Sequence, residues 1–279
     1  MSIKEVMRRF RSERLAFVSF IFLLIISIVA IFAPLITPYN PNAQNLSNIL
    51  ANPSFSHWMG TDNLGRDIFS RVIMGTRTAI QASLFAIIIP LSIGVPIGII
   101  AGYLGGIIDD IFMRIVDAII AIPGILLALG ITAALGISLW NAMIAIGIVA
   151  IPQFARLARG QTLQVRTEPY VESAKISGAG PIWTMFKHII PNISPPVLVQ
   201  ASVNISFAVL AETSLSFLGM GAQSPQISWG SMIQQAYSMI NLNPWLIVYP
   251  GVATALTVMA GNFVGDGLRV AIDPKLKKL

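Results

Sequence analysis

Long apolar runs dominate this chain, and they leave the backbone few options. The first, Leu15 to Ile36, contains no charged residue. A hydrocarbon core about 30 Å thick is crossed by roughly 20 helical residues. With no water inside lipid, each backbone N–H and C=O must be satisfied within its own segment, so such runs are helices. Further runs cover about Ala79–Gly102, Ile111–Leu135, Ser138–Phe154, Ile193–Phe217 and Trp245–Val264. The expectation is an all-α integral membrane protein with six transmembrane helices. Composition agrees: 11% of residues are charged, against roughly 25% in a soluble domain.

Several chemistries are excluded. There is no cysteine, and the two histidines, His57 and His188, are far apart in sequence. Disulfides, thiolate catalysis and a Cys- or His-rich metal site therefore drop out. No Gly-x4-Gly-Lys-Ser/Thr stretch is present to cradle phosphates, so the chain is not expected to hydrolyse ATP. No carboxylate is paired in sequence with a histidine or a serine nucleophile, so no catalytic residue is assigned. The pI near 9.9 points to basic loops on one side of a membrane rather than to nucleic acid.

In order, residues 1–14 form a basic tail with Lys4, Arg8, Arg9, Arg11 and Arg14. The apolar run 15–36 after it exceeds the 7–15 residues of a signal-peptide core, so it reads as a retained first span. Residues 37–78 form an outer loop in which Asp62, Asn63 and Asp67 suit a capped turn better than a calcium loop. Ile68, Phe69, Val72 and Ile73 recur at helical spacing, predicting an amphipathic segment along the membrane surface. Residues 79–268 hold five more spans. Gly94, Gly98 and Gly102 share one helix face where another backbone can approach closely. Arg114 and Asp117 are spaced to pair with each other, and Pro123-Gly124 interrupts the third span. The stretch 219–244 carries no charge, and Trp229 and Trp245 suit an interface or a membrane-surface belt. Residues 269–279 form a basic tail.

Six spans place both termini on one side. With that side cytoplasmic, all but three of the 18 Lys and Arg residues lie inside, and Arg66, Arg71 and Arg77 are the exceptions. The asymmetry orients the chain and makes 154–191 a cytoplasmic loop. Within it, Pro169 opens one short helix, Gly178 and Gly180 close it, and Pro181 opens a second that runs to Pro191. In the fifth span, Ser202, Ser206, Thr213 and Ser216 fall close to one face. They read either as helix–helix hydrogen-bonding glue or as the wall of a solute route. Glu212 has the same two readings, a packing hydrogen bond or a pathway carboxylate.

The loop's own residues carry a family likeness. Glu172-Ser173-Ala174, then Gly178, then His188, Ile190 and Pro191, resemble the Glu-Ala-Ala loop of binding-protein-dependent ABC import permeases. Ser173 replaces one alanine, Ile190 a leucine and His188 an isoleucine. The variant with His188 is similar to the peptide-transporter branch. Phe32-Ala-Pro34, Gly60-Thr-Asp-Asn-Leu-Gly-Arg-Asp67, Ala101-Gly-Tyr-Leu-Gly-Gly106, Glu212 to Gly219, Ser228-Trp-Gly230 and Gly265-Asp-Gly-Leu-Arg269 resemble that branch's C-type subunit. The resemblance implies a type I ABC importer permease fold in a bacterial or archaeal inner membrane. It implies that Tyr170, Glu172, Ser173, Ala174, Gly178, His188 and Pro191 meet a cytoplasmic ATPase. It also implies a second, homologous permease subunit, two ATPase subunits that hold the ATP and Mg²⁺, and an external solute-binding protein touching 37–78 and 219–244. No cofactor would be held by this chain. The cargo would be di- or oligopeptides, or else nickel or a metal chelate.

Overall fold

The computed structural model describes residues 3–272, and the lysines of the C-terminal tail, Lys275, Lys277 and Lys278, lie outside the described residues. The chain folds as a helical bundle. A short α1 (Ile3–Ser12) turns into α2 (Arg14–Ile36), the first apolar run. Most of α2 is uncovered by protein, as befits a helix bathed in lipid. The second long helix begins earlier than its apolar run. Asp67 caps it, its carboxylate accepting from the Ser70 amide at 2.8 Å, and α3 then runs Ile68–Ile89. Residues 68–78 are therefore not a separate surface helix. Ile68 and Ile73 are buried against neighbouring elements, so the amphipathic pattern records burial in protein, not at the membrane surface.

After α3 comes one wide π turn, Pro90–Gly94, and then α4 (Val95–Leu104). The same device recurs later: α9 (Pro181–Thr184) passes through a wide turn, Met185–Ile189, into α10 (Ile190–Phe217). In each case a proline, Pro96 or Pro191, follows the wide turn two residues on. A turn carrying an extra residue already shifts the hydrogen-bond register, so a proline without an N–H is accommodated there. This is why the helix opened by Pro181 does not end at Pro191 but continues to Phe217, 37 residues in all. Pro195 and Pro196 lie inside it rather than opening it.

The third span is not one helix. α5 (Gly106–Ile120) and α6 (Gly124–Leu135) meet at 91°, with Ala121–Pro123 as the corner. At 1.5 Å per residue, α6 is only about 18 Å long. Among the described residues five helices are long and apolar enough to cross a membrane, and there is a sixth span only if this bent pair counts as one. α7 follows, capped by Ser138 on the Asn141 amide, and runs Leu139–Val165. It extends well past Phe154, where the polar loop was expected to begin. The predicted Arg114–Asp117 pair does not form the link; Asp117 instead takes Arg156 of α7 at 2.6 Å. Arg159, one turn on, is gripped by both Asp109 oxygens at 2.5 and 2.6 Å.

Glycine sets how closely α4 and α7 approach. A Cβ on Gly98 would lie 2.2 Å from the Ala155 carbonyl oxygen, and one on Gly102 2.8 Å from that of Arg159. The shared glycine face expected from the sequence is thus the contact itself. α12 (Trp245–Ile272) closes the bundle, with Gly261 against Ser206 of α10 and Gly267 against Ala16 of α2.

Between α2 and α3 the loop is tied inward. Asp62 accepts from the Leu64 and Arg66 amides at 2.9 Å and pairs with the Arg66 side chain at 2.6 Å. Arg71, fully buried, lies 3.6 Å from the same carboxylate and donates to the Pro41 carbonyl. Asp67 also holds His57 at 2.8 Å, and Thr61 donates to Asn48. The capped-turn reading of Asp62 and Asp67 holds. Trp229, which opens α11 (Trp229–Tyr237), is buried and donates to the Val72 carbonyl at 3.0 Å. It is a packing residue, not the interface or belt residue expected. Trp245 is exposed and stacks on Tyr249.

Candidate functional site

Two features at one end of the bundle and along its flank carry the functional argument. The first is the segment between α7 and α10. Only Arg166, Thr167 and Glu168 separate α7 from α8 (Pro169–Ile176), far less than the 154–191 loop suggests. Pro169 supplies the first helical position. At the other end Gly178 has φ of +85°, where a Cβ is disfavoured. The Ala179 amide reaches the Ala174 carbonyl and the Gly178 amide that of Lys175, both at 3.0 Å. That paired closure is the Schellman motif, and it sets the exit angle toward α9.

α8 is anchored on one side and open on the other. Val171 is buried, and the Lys175 ammonium sits 4.9 Å from the centre of the Tyr103 ring at the end of α4. Glu172 and Ser173 face outward, and Ala174 is half-buried. The Ser173 hydroxyl donates to the Pro169 carbonyl at 2.8 Å, which presents a small, internally satisfied surface. The His188 ring lies 5.7 Å from that of Tyr170 and 5.2 Å from that of Trp183. Partial burial and the neighbouring Glu168 carboxylate push the Tyr170 hydroxyl upward from its usual value, so it stays a neutral phenol. Pro191 is exposed on the continuing helix.

Around this platform stand apolar side chains with nothing over them: Ile176 at 88% exposure, Ile182 at 72%, Phe186 at 68%, and Trp183. Large apolar side chains left exposed on one short segment outside the spans point to an interaction site. Sequence reading marked Tyr170 and His188 but not these four. Their signal was present: apolar residues in a segment too polar to enter lipid.

The second feature is the flank of α10. Ser206, Glu212, Thr213 and Ser216 turn into the bundle and are buried; Glu212 accepts from the Ser216 hydroxyl at 2.6 Å, and Ser206 packs on Gly261. Ser202 bonds its own helix at the Leu198 carbonyl. The open face is a different one. Pro196, Gln200, Val203, Phe207, Leu210, Ser214 and Phe217 alternate at spacings of four and three, and all are exposed or half-buried. Phe207, Leu210 and Ser214 line a recess of about 220 Å³ with Gly124, Ala128 and Val149 of α6 and α7. Among the described residues no group of three or more His, Cys, Asp or Glu could hold a metal.

Comparison with known proteins settles the family. The profile described as "Binding-protein-dependent transport system inner membrane component" matches residues 94–278, and that for the N-terminal TM domain of oligopeptide transport permease C matches 3–53. The chain belongs to this family. As one of these inner-membrane components it is a permease subunit of an ABC importer, and not itself an enzyme. A dipeptide transport system permease protein of Alkalihalophilus pseudofirmus is 42% identical, over 98% of this chain and 90% of the other. A glutathione transport system permease protein of Pectobacterium atrosepticum is also 42% identical, over 98% and 91%. The inward-facing MetNI methionine ABC transporter has a chain with a TM-score of 0.60 at 20% identity, covering 73% of this chain and 97% of that one. That likeness shows a shared type I permease fold.

Proposed function

We propose that this permease forms half of a translocation pathway for short peptides and is driven through α8 by a cytoplasmic ATPase. The observation that carries the reading is the mounting of α8. It hangs between two uninterrupted helices, α7 and the 181–217 helix, beside uncovered Ile176, Ile182, Trp183 and Phe186. A motion imposed on α8 reaches the bundle through both. Glu172, Ser173, Ala174 and Gly178 give the helix a small outer face and a fixed exit, with Tyr170 and His188 stiffening its base and Pro191 at the start of the onward helix.

One chain offers one such handle, so a homologous second permease supplies the other for a pair of ATPases, which hold ATP and Mg²⁺. In this reading both termini and α8 are cytoplasmic, which matches the distribution of Lys and Arg. An external solute-binding protein meets the opposite end, near 37–67 and 219–244. The pathway wall is the open stripe of α10, Val203, Phe207, Leu210 and Ser214, rather than the buried Ser206, Glu212 and Thr213. The named relatives, permeases for dipeptides and glutathione, favour a peptide cargo over nickel.

Glu172→Lys and Gly178→Asp test the handle. Both variants should insert in the membrane yet lose ATPase co-purification or transport-coupled hydrolysis. Normal coupling in both would sink the reading.

A further inference from the structure

The pair Asp117–Arg156 stands apart from the other ion pairs of the bundle. Its 2.6 Å contact is direct, yet the two side chains are 58% and 53% exposed. Its position makes that exposure notable. Arg156 lies nine residues before the end of α7, about 14 Å along the helix, with Ala155, Leu157 and Ala158 around it. Asp117 lies eleven residues into α5, close to the corner that leads to α6. Charges set within the helices of a membrane bundle do not face hydrocarbon; they face protein or a water-filled cavity.

The surroundings say which. Val149 lines the apolar recess, and Gln153 and Arg156 follow it down the same face of α7 at spacings of four and three. Gln153 accepts from the Gln200 side chain of α10 at 3.4 Å, and Gln200 belongs to the open stripe. Beyond the recess, toward the end that carries α8, the same faces of α7 and α10 turn polar, with two amides and, at Asp117–Arg156, one carboxylate and one guanidinium.

We propose that Asp117 and Arg156 are a recognition site for the two charged ends of a short zwitterionic peptide, an inference that rests on the peptide-permease reading above. With the cavity empty, the two side chains neutralise each other. A ligand carrying both an ammonium and a carboxylate replaces one ion pair with two. Arg156 presents its planar fork to the carboxylate, and Asp117 accepts from the ammonium. The termini of an extended tripeptide are about 10 Å apart, a gap that the long Arg156 side chain can open by swinging off Asp117. Gln153 and Gln200 are placed for the peptide backbone. A ligand with one end capped breaks the internal pair and leaves one of its charges without a partner. Discrimination arises because the stranded group loses its partner.

The test uses the assembled transporter, both permeases and both ATPases, in nanodiscs of zwitterionic lipid. Leaving out the binding protein removes its own selectivity. Binding of tri-alanine, N-acetyl-tri-alanine and tri-alanine amide is followed by saturation-transfer NMR. The expectation is that each capped peptide binds at least tenfold more weakly than free tri-alanine. Asp117→Asn should abolish the penalty for acetylation, and Arg156→Gln that for amidation. The exchange variant D117R/R156D, which keeps the pair, checks that folding and ATPase association survive. Equal binding of free and capped peptides, wild-type discrimination in both variants, or no tri-alanine binding at all would each overturn the site. Intact ATPase association in the same samples would leave the permease reading standing, and its loss in the unmodified protein would remove that reading instead.

Discussion

The two ends of this bundle handle their polar chain in opposite ways. The 37–67 loop turns its chemistry inward: Asp62 is shared by two arginines and two amides, and Asp67 caps α3 while holding His57. The α8–α9 segment satisfies its backbone with short-range bonds and turns Ile176, Ile182, Trp183 and Phe186 outward. The first region's carboxylates are satisfied within the chain, by Arg66 and by Arg71 of α3, although Phe55, Leu46 and Trp58 stay exposed there too; the second, in the proposed reading, is completed by a partner. Buried hydrogen bonds hold a shape against water, whereas an uncovered apolar face gains only when something else covers it.

Substitutions can break that contrast, and the largest effect is expected on the open side. Trp183→Asp together with Phe186→Asp should reduce ATPase capture at least tenfold in pull-downs from nanodiscs, with the thermal midpoint of the permease unchanged. A lowered midpoint would mean that these residues belong to the fold. Next comes Asp62→Ala, which leaves Arg66 and the buried Arg71 without their carboxylate. Removing one partner of a buried pair costs about 3 kcal/mol, to be seen as a lower thermal midpoint with ATPase capture retained. Asp67→Ala removes a helix cap and should cost about 1–2 kcal/mol by the same measurement. The smallest effect is expected for Ser173→Ala, whose hydroxyl only bonds back to its own helix. It should change neither stability nor capture measurably, and a large loss of capture would assign that hydroxyl to the partner.

Much of this was legible in one dimension, and the misses share a cause. Apolar runs marked the spans because lipid forces helicity on them. Gly94, Gly98 and Gly102 marked a close approach because their spacing is that of one helix face. Gly178 marked the end of α8 because left-handed φ favours glycine. What failed was any inference that needed a second element. Arg156 and Arg159 looked like the start of a loop, yet Asp117 and Asp109 allow them to sit within α7. Trp229 looked like an interface residue until α3 supplied the Val72 carbonyl. On α10 the hydroxyls stand out in sequence but are buried, Ser206 against Gly261 of α12 and Ser216 against Gly230 of α11, while the open face is the alternating stripe headed by Pro196 and Gln200. Hydropathy marks what tolerates lipid; it does not distinguish lipid from a neighbouring helix.

The two wide turns, Pro90–Gly94 and Met185–Ile189, pack into one core around Phe154, through Leu91 and the adjoining Val95 at the first and Met185 and Ile189 from the second. Each holds one residue more than an ordinary turn while leaving the helix on either side in phase. Deleting a residue there would tighten the turn and keep Gly98 and Gly102 pointed at α7. The same deletion one turn away would rotate everything beyond it by roughly 100°. Length changes in these two helices are therefore tolerated at one shared level of the bundle and punished above and below it.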